Sequence, residues 1–262
     1  SSPDMKKWEL QSKLKGYYEC PELWELPVDG DQSKTRWVVT AADAKYALGS
    51  FDGKEFKPDH EGKHQVHYGD YYAAQTFSHA PDGRRIQIGW ARIDTPKMPF
   101  NQTFSFPHEL TLRTTEDGVR LFAEPVKEIA KLHADKSAAK DQPLSKDQPV
   151  ALPVKGELFD VTAVFEVGQA KSLGLDLGGE RITFDATQNK LDGAPLKPVG
   201  GKIAVRVLID RPMLEIIGND GRVYITRARK KFGGPESIKA FADGQAKLLK
   251  LEATELTSIW KR

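Results

Sequence analysis

Short runs of aromatic and β-branched residues, each bounded by Asp, Gly or Pro, recur through the first half of this 262-residue sequence. Three of them cover residues 36–40, 71–77 and 85–90. Such runs predict β-strands, because branched and aromatic side chains pack well on a pleated surface while Gly and Pro interrupt strand pairing. A Pro-Asp-Gly sequence at residues 81–83 predicts a hairpin turn between the last two runs. Residues 1–125 are therefore expected to form strands joined by short turns.

A seven-residue pattern, Ser-x-Asp-x-x-x followed by an aromatic residue, begins at Ser2 and begins again at Ser50. The two copies end at Trp8 and Phe56. A repeat of about 45 to 50 residues, with about four strands in each unit, is typical of the blades of a β-propeller. We therefore expect residues 1–125 to form blades of a propeller.

The second half of the sequence also carries strand patterns. Residues 202–209 and 213–217 are dense in Val, Ile and Leu, and a Gly-Asn-Asp-Gly turn follows them. Several short strands separated by polar turns favour a β-sandwich. We expect this sandwich over residues 156–262, and hence an all-β fold for the whole chain.

Two weaker patterns lie between these halves. A proline at the first turn and apolar residues on one face predict a short helix over residues 125–133. Residues 134–153 are rich in Lys, Asp, Ala, Gln and Pro, which predicts an exposed linker. Residues 126–155 are thus expected to be a short helix and a linker.

The overall composition excludes several classes of partner. The 39 Lys and Arg residues are nearly balanced by 37 Asp and Glu residues. The net charge therefore gives no reason to expect nucleic acid or an anionic membrane as a partner. The single cysteine, Cys20, excludes an intrachain disulfide and a pair of cysteine ligands for a metal. No apolar run approaches the ~20 residues of a membrane span, and the first residues lack the core of a signal peptide. Any export signal would therefore lie outside this sequence.

Four histidines, His60, His64, His67 and His79, lie close together in the sequence. These residues lie in predicted loops and strands, which favours solvent-exposed histidines over a metal site. We expect neither a metal nor a cofactor.

Glu19 stands out at the start of the first strand pattern. Because Cys20 and Pro21 follow it at once, Glu19 cannot lie inside a regular helix and is expected at a bend or strand start. At the rim of a β-scaffold such a side chain can point into a cleft. A plain surface role is the alternative, as for most carboxylates.

Five stretches of the sequence, in this order along the chain, resemble segments of one known protein family. They are residues 18–21 (Tyr-Glu-Cys-Pro), 69–77 (containing Asp-Tyr-Tyr-Ala), 83–90 (ending in Gly-Trp), 104–110 (containing Pro-His-Glu-Leu) and 207–221. In this order they resemble segments of the glycoside hydrolase family that includes invertases, inulinases and levanases, family 32. The resemblance implies a partial five-bladed β-propeller followed by a C-terminal β-sandwich.

The sequence also departs from the family pattern. His108 stands where the family usually has Arg, so any ion pair made by that Arg is in question. The family's nucleophile segment, of the type Trp-x-Asn-Asp-Pro-Asn-Gly, and its Arg-Asp-Pro motif have no counterpart. Both belong to the first blades, so the resemblance implies that this sequence covers the last two to three blades and the sandwich. A second polypeptide or a longer chain would supply the rest, and an open ring is expected to be inactive alone.

The resemblance implies hydrolysis of β-fructosides of the sucrose, inulin or levan type with retention of configuration. That reaction uses two carboxyl groups about 5 to 5.5 Å apart. Glu19 would be the acid and then the base, and partial burial beside Tyr18, Trp24 or another carboxylate would help it to keep its proton. The attacking Asp would lie on a segment absent from this sequence.

Four further residues are candidates for contact with a sugar. Tyr72 and Trp90 match family positions near the sugar pocket, where aromatic faces suit a sugar ring, although packing in a propeller core is an alternative. Asp70 could bind a fructose hydroxyl or cap a turn. Cys20 is expected to be a small buried residue beside the site, because no histidine lies near it in sequence.

Two other functions are compatible with the same residues. One is a noncatalytic carbohydrate-binding protein. The other is a structural propeller module for protein contacts, against which the Glu-Cys-Pro sequence argues, because blade packing requires no carboxylate there. In the hydrolase interpretation the partner is a fructose-containing oligosaccharide or polysaccharide. The expected location is then extracellular or periplasmic, because fructans are extracellular polymers.

Overall fold

The computed structural model describes residues 1–231 and 233–260. In the first half the strands are β1 (Glu22–Val28), β2 (Asp31–Thr40), β3 (Lys45–Phe51), β4 (Phe56–Pro58), β5 (His64–Gln65), β6 (His67–Gly69), β7 (Tyr71–Phe77), β8 (Arg85–Ala91), β9 (Thr103–Phe104), β10 (His108–Thr115) and β11 (Gly118–Pro125). After a 3₁₀ helix (Lys127–Leu132) come β12 (His133–Leu144), β13 (Val150–Pro153), β14 (Leu158–Glu166), β15 (Ser172–Asp176), β16 (Arg181–Asp185), β17 (Lys190–Leu191), β18 (Ala194–Pro195), β19 (Lys202–Asp210), β20 (Met213–Gly218), β21 (Val223–Ala228), β22 (Ser237–Asp243) and β23 (Ala246–Leu256). The expected all-β fold is confirmed. The described part of the chain contains no helix that could cross a lipid bilayer.

The first sheet contains two antiparallel meanders. One runs β1–β2–β3–β4, and the other runs β7–β8–β10–β11. A parallel pairing between Val28 of β1 and Leu112 of β10 joins them. The strands expected over residues 36–40, 71–77 and 85–90 lie in β2, β7 and β8, so these predictions are confirmed. Each meander is a four-stranded unit of the kind found in propeller blades.

The repeated Ser-x-Asp pattern forms the same turn twice. Oδ1 of Asp4 accepts hydrogen bonds from the backbone N–H groups two and three residues later, at 2.9 and 3.0 Å. Oδ1 of Asp52 accepts the equivalent pair at 2.8 Å each. The second turn joins β3 to β4, whereas the first lies in residues 1–21, which contain no described strand.

Two further sheets form the expected sandwich. One has the order β12-β23-β14-β19-β20-β21-β6, and the other has the order β13-β22-β15-β16-β17-β18. Apolar side chains from both sheets meet in one core, for example Phe159 and Phe165 from the first and Leu173, Phe184 and Ile238 from the second. Burial of these side chains supplies the main driving force for this packing.

Residues 133–144 and 150–153 are strands, so the prediction of a linker is wrong there. Along most of its length β12 pairs with β23, and most of its side chains face solvent. An edge strand needs backbone partners on one side only, so a polar composition is compatible with it. The helix expected just before it is present as the 3₁₀ helix, with Ile129 buried. The division of the chain into domains at residues 125 and 156 stays a prediction.

Strand β6 connects the first half of the chain to the sandwich. It pairs in parallel with β21, and this register sets His67 beside Tyr224. His67 is only 3% exposed, so the prediction of a solvent-exposed histidine is wrong for this residue. Apolar residues reinforce the junction, because Ile217 and Tyr224 of the sandwich pack in one cluster with Trp24 and Leu110 of the first sheet.

Polar side chains at this junction form a buried hydrogen-bond network. Nδ1 of His108 donates to the Phe106 carbonyl at 3.0 Å, which leaves its Nε2 to accept from Nε2 of His67 at 2.9 Å. Tyr71 packs its ring against His67 in a stacked arrangement, and its hydroxyl donates to Gln87 at 3.1 Å. Burial lowers the pKa of His108 to about 4 and that of His67 well below its ordinary value. At the position where the resemblance led us to expect Arg, the chain thus buries a neutral histidine.

Glu215, on β20 of the sandwich, belongs to the same hydrogen-bond network. Its carboxyl oxygens each accept from the backbone N–H of Phe106 at 3.2 Å, and they also accept from the hydroxyls of Tyr224 and Thr226. Burial raises the pKa of Glu215 to about 8. The peptide groups of Phe106 therefore link Glu215 on one side to His108 on the other.

We expect Glu215→Gln to remove a pH-dependent loss of stability. With a pKa raised from 4.5 to about 8, folded Glu215 keeps its proton where the unfolded chain has released it, so stability falls as pH rises through this range. Gln cannot ionise, so the variant does not lose this stability. As pH rises from about 5 to about 8, the unfolding free energy of the variant should therefore increase relative to that of wild type by on the order of 4 kcal/mol. Chemical denaturation at a series of pH values measures the difference.

The buried histidines are present in both the wild type and the Glu215→Gln variant, so their contribution to the pH dependence cancels when the two proteins are compared. A difference in unfolding free energy that stays constant with pH would contradict the raised pKa of Glu215.

Candidate active site

Glu19 lies in a bend immediately before β1, as expected from the residues that follow it. The bend continues through Cys20, whose φ of 46° is in the left-handed region that few residues other than glycine adopt. The Glu19 carbonyl accepts from the backbone N–H of Ala42 at 2.7 Å, and the Ala42 carbonyl accepts from that of Ala73 at 3.0 Å. These two bonds attach the Glu19 backbone to β7 through the turn after β2.

The Glu19 side chain contacts Tyr72 of β7. The Tyr72 hydroxyl donates to Oε2 of Glu19 at 2.7 Å. This hydrogen bond is the main reason that the pKa of the Tyr72 phenol is raised above its ordinary value. The bond joins residues 53 positions apart in sequence, so it depends on the tertiary fold.

The expected partial burial of Glu19 is not observed, because its side chain is exposed in this structure. Tyr18 is 89% exposed and gives no cover, and Trp24 is buried in the apolar cluster of the first sheet. The physical reason is the bend, which holds Glu19 outside the strands.

Glu22, three residues later, has a structural role. Both of its carboxylate oxygens accept from the backbone N–H of Thr76 at 2.9 Å, and one also accepts from the Thr76 hydroxyl. The carboxylate thereby holds the start of β1 against β7.

Tyr72 and Trp90 form a partly open aromatic face. They stand opposite each other in the pairing of β7 with β8, with ring centroids 6.3 Å apart in an edge-to-face arrangement. Trp90 is 39% exposed, and its indole N–H donates to Gln102 at 2.6 Å. The alternative of a buried propeller-core position is therefore wrong for Trp90, and Tyr72 is half-buried.

A bulge gives β7 an irregular register next to this face. The pairing with β8 shifts between Tyr72 and Gln75, and Ala73 has a φ of 48°. Bulges bend a strand locally and re-aim its side chains. At this position the bulge sets the direction of Tyr72 relative to the rest of β7.

Asp70 and Cys20 border the same region. Asp70 is fixed by its backbone, since its N–H donates to the Thr226 carbonyl at 2.7 Å and its carbonyl accepts from Arg92 at 2.8 Å. Its carboxylate makes no hydrogen bond to any residue that the structure describes, so the turn-capping alternative has no support. Cys20 is half-buried, and its carbonyl accepts from the Gln75 amide at 3.4 Å.

Arg92 is a residue of this face that the sequence analysis missed. Its guanidinium carbon lies 4.4 Å from the centroid of the Tyr72 ring. Side chains two residues apart on a strand point to the same side, so the spacing from Trp90 to Arg92 could have revealed it. Within residues 1–231 and 233–260, no group of three or more His, Cys, Asp or Glu side chains could hold a metal ion.

A cavity of about 590 Å³ begins beside Trp90 and extends toward the sandwich. Its walls include Phe100 and Phe104 from the first half of the chain and Arg211 and Trp260 from the second. Trp90 thus borders this recess between the two halves, whereas Glu19 and Tyr72 are not among its lining residues.

The chain matches two family models. The model for the N-terminal domain of glycosyl hydrolases family 32 matches residues 1–125, and the model for the C-terminal part of that family matches residues 123–255. Levanase from Bacillus subtilis (strain 168) is 29% identical over 99% of this chain and 47% of its own length. An extracellular exo-inulinase from Aspergillus niger is 22% identical over 99% of this chain and 60% of its own length. The chain therefore spans about half the length of the curated relatives that it matches.

Solved structures show the same fold. The exo-inulinase of Aspergillus awamori gives a TM-score of 0.83 at 20% identity and covers 99% of this chain and 62% of its own chain. A fructofuranosidase from Schwanniomyces occidentalis complexed with fructosylnystose gives a TM-score of 0.80 at 24% identity, covering 98% of this chain and 64% of its own.

We expect Glu19→Gln to lower the pKa of the Tyr72 phenol toward its ordinary value of 10.0, because the bond to the Glu19 carboxylate is the main cause of the raised value. A pH titration of the chain with ¹³C-labelled tyrosine, followed by NMR, measures the change. The spectrum of Tyr72→Phe identifies the resonance. A Tyr72 titration that is the same with Glu and with Gln at position 19 would contradict the contact.

Proposed function

The chain belongs to glycosyl hydrolases family 32, and on that premise we propose that it carries the acid/base carboxyl of a β-fructoside hydrolase. The hydrogen bond from Tyr72 to Glu19 is the observation that carries this proposal. It gives an exposed carboxyl at the rim of the first sheet a defined position beside an aromatic face. An acid or base must lie within hydrogen-bond reach of the atom that it serves, and a fixed, accessible side chain meets that need.

Glu19 has two successive roles in the proposed reaction. In the first step it gives its proton to the glycosidic oxygen while a second carboxylate attacks the anomeric carbon, which breaks the glycosidic bond and forms a fructosyl ester. In the second step Glu19 removes a proton from water, which attacks the ester and releases fructose with its configuration retained. Glu19 thereby recovers its proton and the second carboxylate is freed.

The attacking carboxylate is proposed to come from outside these 262 residues. The motif that carries it in the family has no counterpart in the sequence. A longer chain or a second polypeptide would supply both this residue and the remaining blades. In this arrangement residues 1–125 contribute blades, residues 156–262 contribute the sandwich, and this chain alone is inactive.

The aromatic face and its neighbours are proposed to contact the sugar. Tyr72 and Trp90 offer rings against which the apolar side of a sugar can pack. The Asp70 carboxylate, which bonds to no described residue, is available to a fructose hydroxyl. Cys20 lies beside Glu19 as a small residue that leaves room for the substrate.

The substrate class follows from the relatives. Their names, levanase and exo-inulinase, indicate polymers or oligomers of fructose, and we extend the proposal to levan, inulin and sucrose. One of these names includes the word extracellular, which supports an extracellular or periplasmic location.

In a protein that contains this chain together with the segment for the attacking carboxylate, Glu19→Gln should lower turnover of sucrose or levan by roughly 10²- to 10⁴-fold. The reason is that Gln can neither give nor take the proton. Release of fructose at saturating substrate measures the effect. Glu25→Gln is the matched control, because Glu25 is an exposed carboxylate on β1 that bonds to Thr35 and takes no part in the site.

Unchanged turnover in Glu19→Gln would remove Glu19 from its proposed role. Binding of levan oligosaccharides without any release of fructose from the wild type would instead support the noncatalytic carbohydrate-binding alternative.

A further inference from the structure

Arg92 is held on the exposed face of the site by the strand pairing. Its backbone N–H donates to the Asp70 carbonyl at 2.8 Å, which extends the ladder between β7 and β8 beyond the last paired strand residue. Because Trp90 and Arg92 are two residues apart in extended chain, their side chains lie on the same side as Tyr72. The residue that bonds to Glu19 therefore has an aromatic and a cationic neighbour on one face.

The contact between Arg92 and Tyr72 is of the cation–π kind. The guanidinium carbon is 4.4 Å from the ring centroid, well within the distance of about 6 Å at which a cation is attracted to the face of a ring. The same positive charge opposes the effect of Glu19, since Arg92 lowers the pKa of the Tyr72 phenol while the bond to Glu19 raises it. The charge thus favours a more acidic hydroxyl, which is a better donor to a carboxylate.

The use of Arg92 differs from that of most structural arginines in the chain. Arg84 bonds to Asp82 and Glu128, and Arg206 bonds to Asp160 through two nitrogen atoms. In the described part of the chain Arg92 forms no ion pair, and its side chain is exposed. Its guanidinium is instead directed to the ring that holds Glu19.

We propose that Arg92 is a positioning residue that fixes the Tyr72 ring, and through the Tyr72 hydroxyl the Glu19 carboxyl, for transfer of a proton to the leaving oxygen. This inference rests on the proposed function of Glu19. Arg92 forms and breaks no bond in the reaction. A small displacement of a reacting group lowers the reaction rate strongly. Because Tyr72 holds Glu19, the contact of Arg92 with Tyr72 affects the step in which Glu19 protonates the leaving oxygen.

The dependence on the leaving group distinguishes this role from simple substrate binding. The glycosidic oxygen of sucrose needs a proton to depart, whereas the fluoride of β-fructofuranosyl fluoride does not. For each substrate, kcat/KM reports the steps up to formation of the fructosyl ester. Loss of a positioning residue for the acid should therefore appear with sucrose and be nearly absent with the fluoride.

The test uses the same complete protein as for Glu19. Arg92→Met keeps the apolar length of the side chain and removes the cation, and it should lower kcat/KM for sucrose by about fivefold, the size expected for an exposed cation–π contact. Its kcat/KM for the fluoride should fall by less than about twofold. Arg92→Lys restores a cation over the ring and should recover most of the loss with sucrose.

A matched control comes from the sandwich. The Arg181 guanidinium carbon lies 4.7 Å from the centroid of the Phe241 ring, which is the same type of contact in another part of the fold. Arg181→Met should leave both kcat/KM values unchanged.

The outcomes separate this inference from the function on which it rests. If Glu19→Gln lowers turnover but Arg92→Met has no effect, or lowers kcat/KM equally for both substrates, the positioning role is overturned and the function of Glu19 stands. If the wild type releases no fructose from either substrate, the proposed function is overturned and the role of Arg92 with it.

Discussion

Strand β7 is the element on which the rest of the structure depends, because its two faces belong to different environments. Tyr71 points into the buried junction, where its ring stacks on His67 at a centroid distance of 4.1 Å. Tyr72, the next residue, points to the opposite side and bonds to Glu19. The junction between the first sheet and the sandwich therefore fixes the strand that holds the candidate acid. The sandwich also contacts the residue before this strand, because the Thr226 carbonyl accepts from the backbone N–H of Asp70.

Charge is distributed differently on these two sides of β7. The buried side keeps its titratable groups neutral, because burial lowers the pKa of His108 and raises that of Glu215. This arrangement avoids the large cost of burying an unpaired ion. On the exposed side Glu19 and Arg92 contact Tyr72 at its hydroxyl and its ring face respectively. Both side chains are exposed, so they are accessible to a substrate.

Sequence patterns predicted the strands of the core well and their surroundings poorly. β7 and β8 were predictable because branched and aromatic residues bounded by turns leave few alternatives. The linker prediction failed at β12, since this edge strand is held by backbone pairing with β23, which leaves no apolar pattern. The bend at Glu19 followed from Cys20 and Pro21. The resemblance placed Tyr72 near a sugar pocket, but its hydrogen bond to Glu19 emerges only from the tertiary fold. His67, His108 and Glu215 are far apart in the sequence, and no local pattern predicts that they meet. The parallel pairing of β6 with β21 brings them together.

In the proposed function Glu19 serves the leaving oxygen of a sugar bound against the face of Tyr72 and Trp90. The most direct measurement is a crystal structure of the complete protein with Glu19→Gln and a bound levan oligosaccharide. We expect a glycosidic oxygen within about 2.6 to 3.2 Å of the side-chain amide at position 19, with a fructose ring against Trp90. An oligosaccharide bound only elsewhere, with position 19 open to solvent, would contradict it.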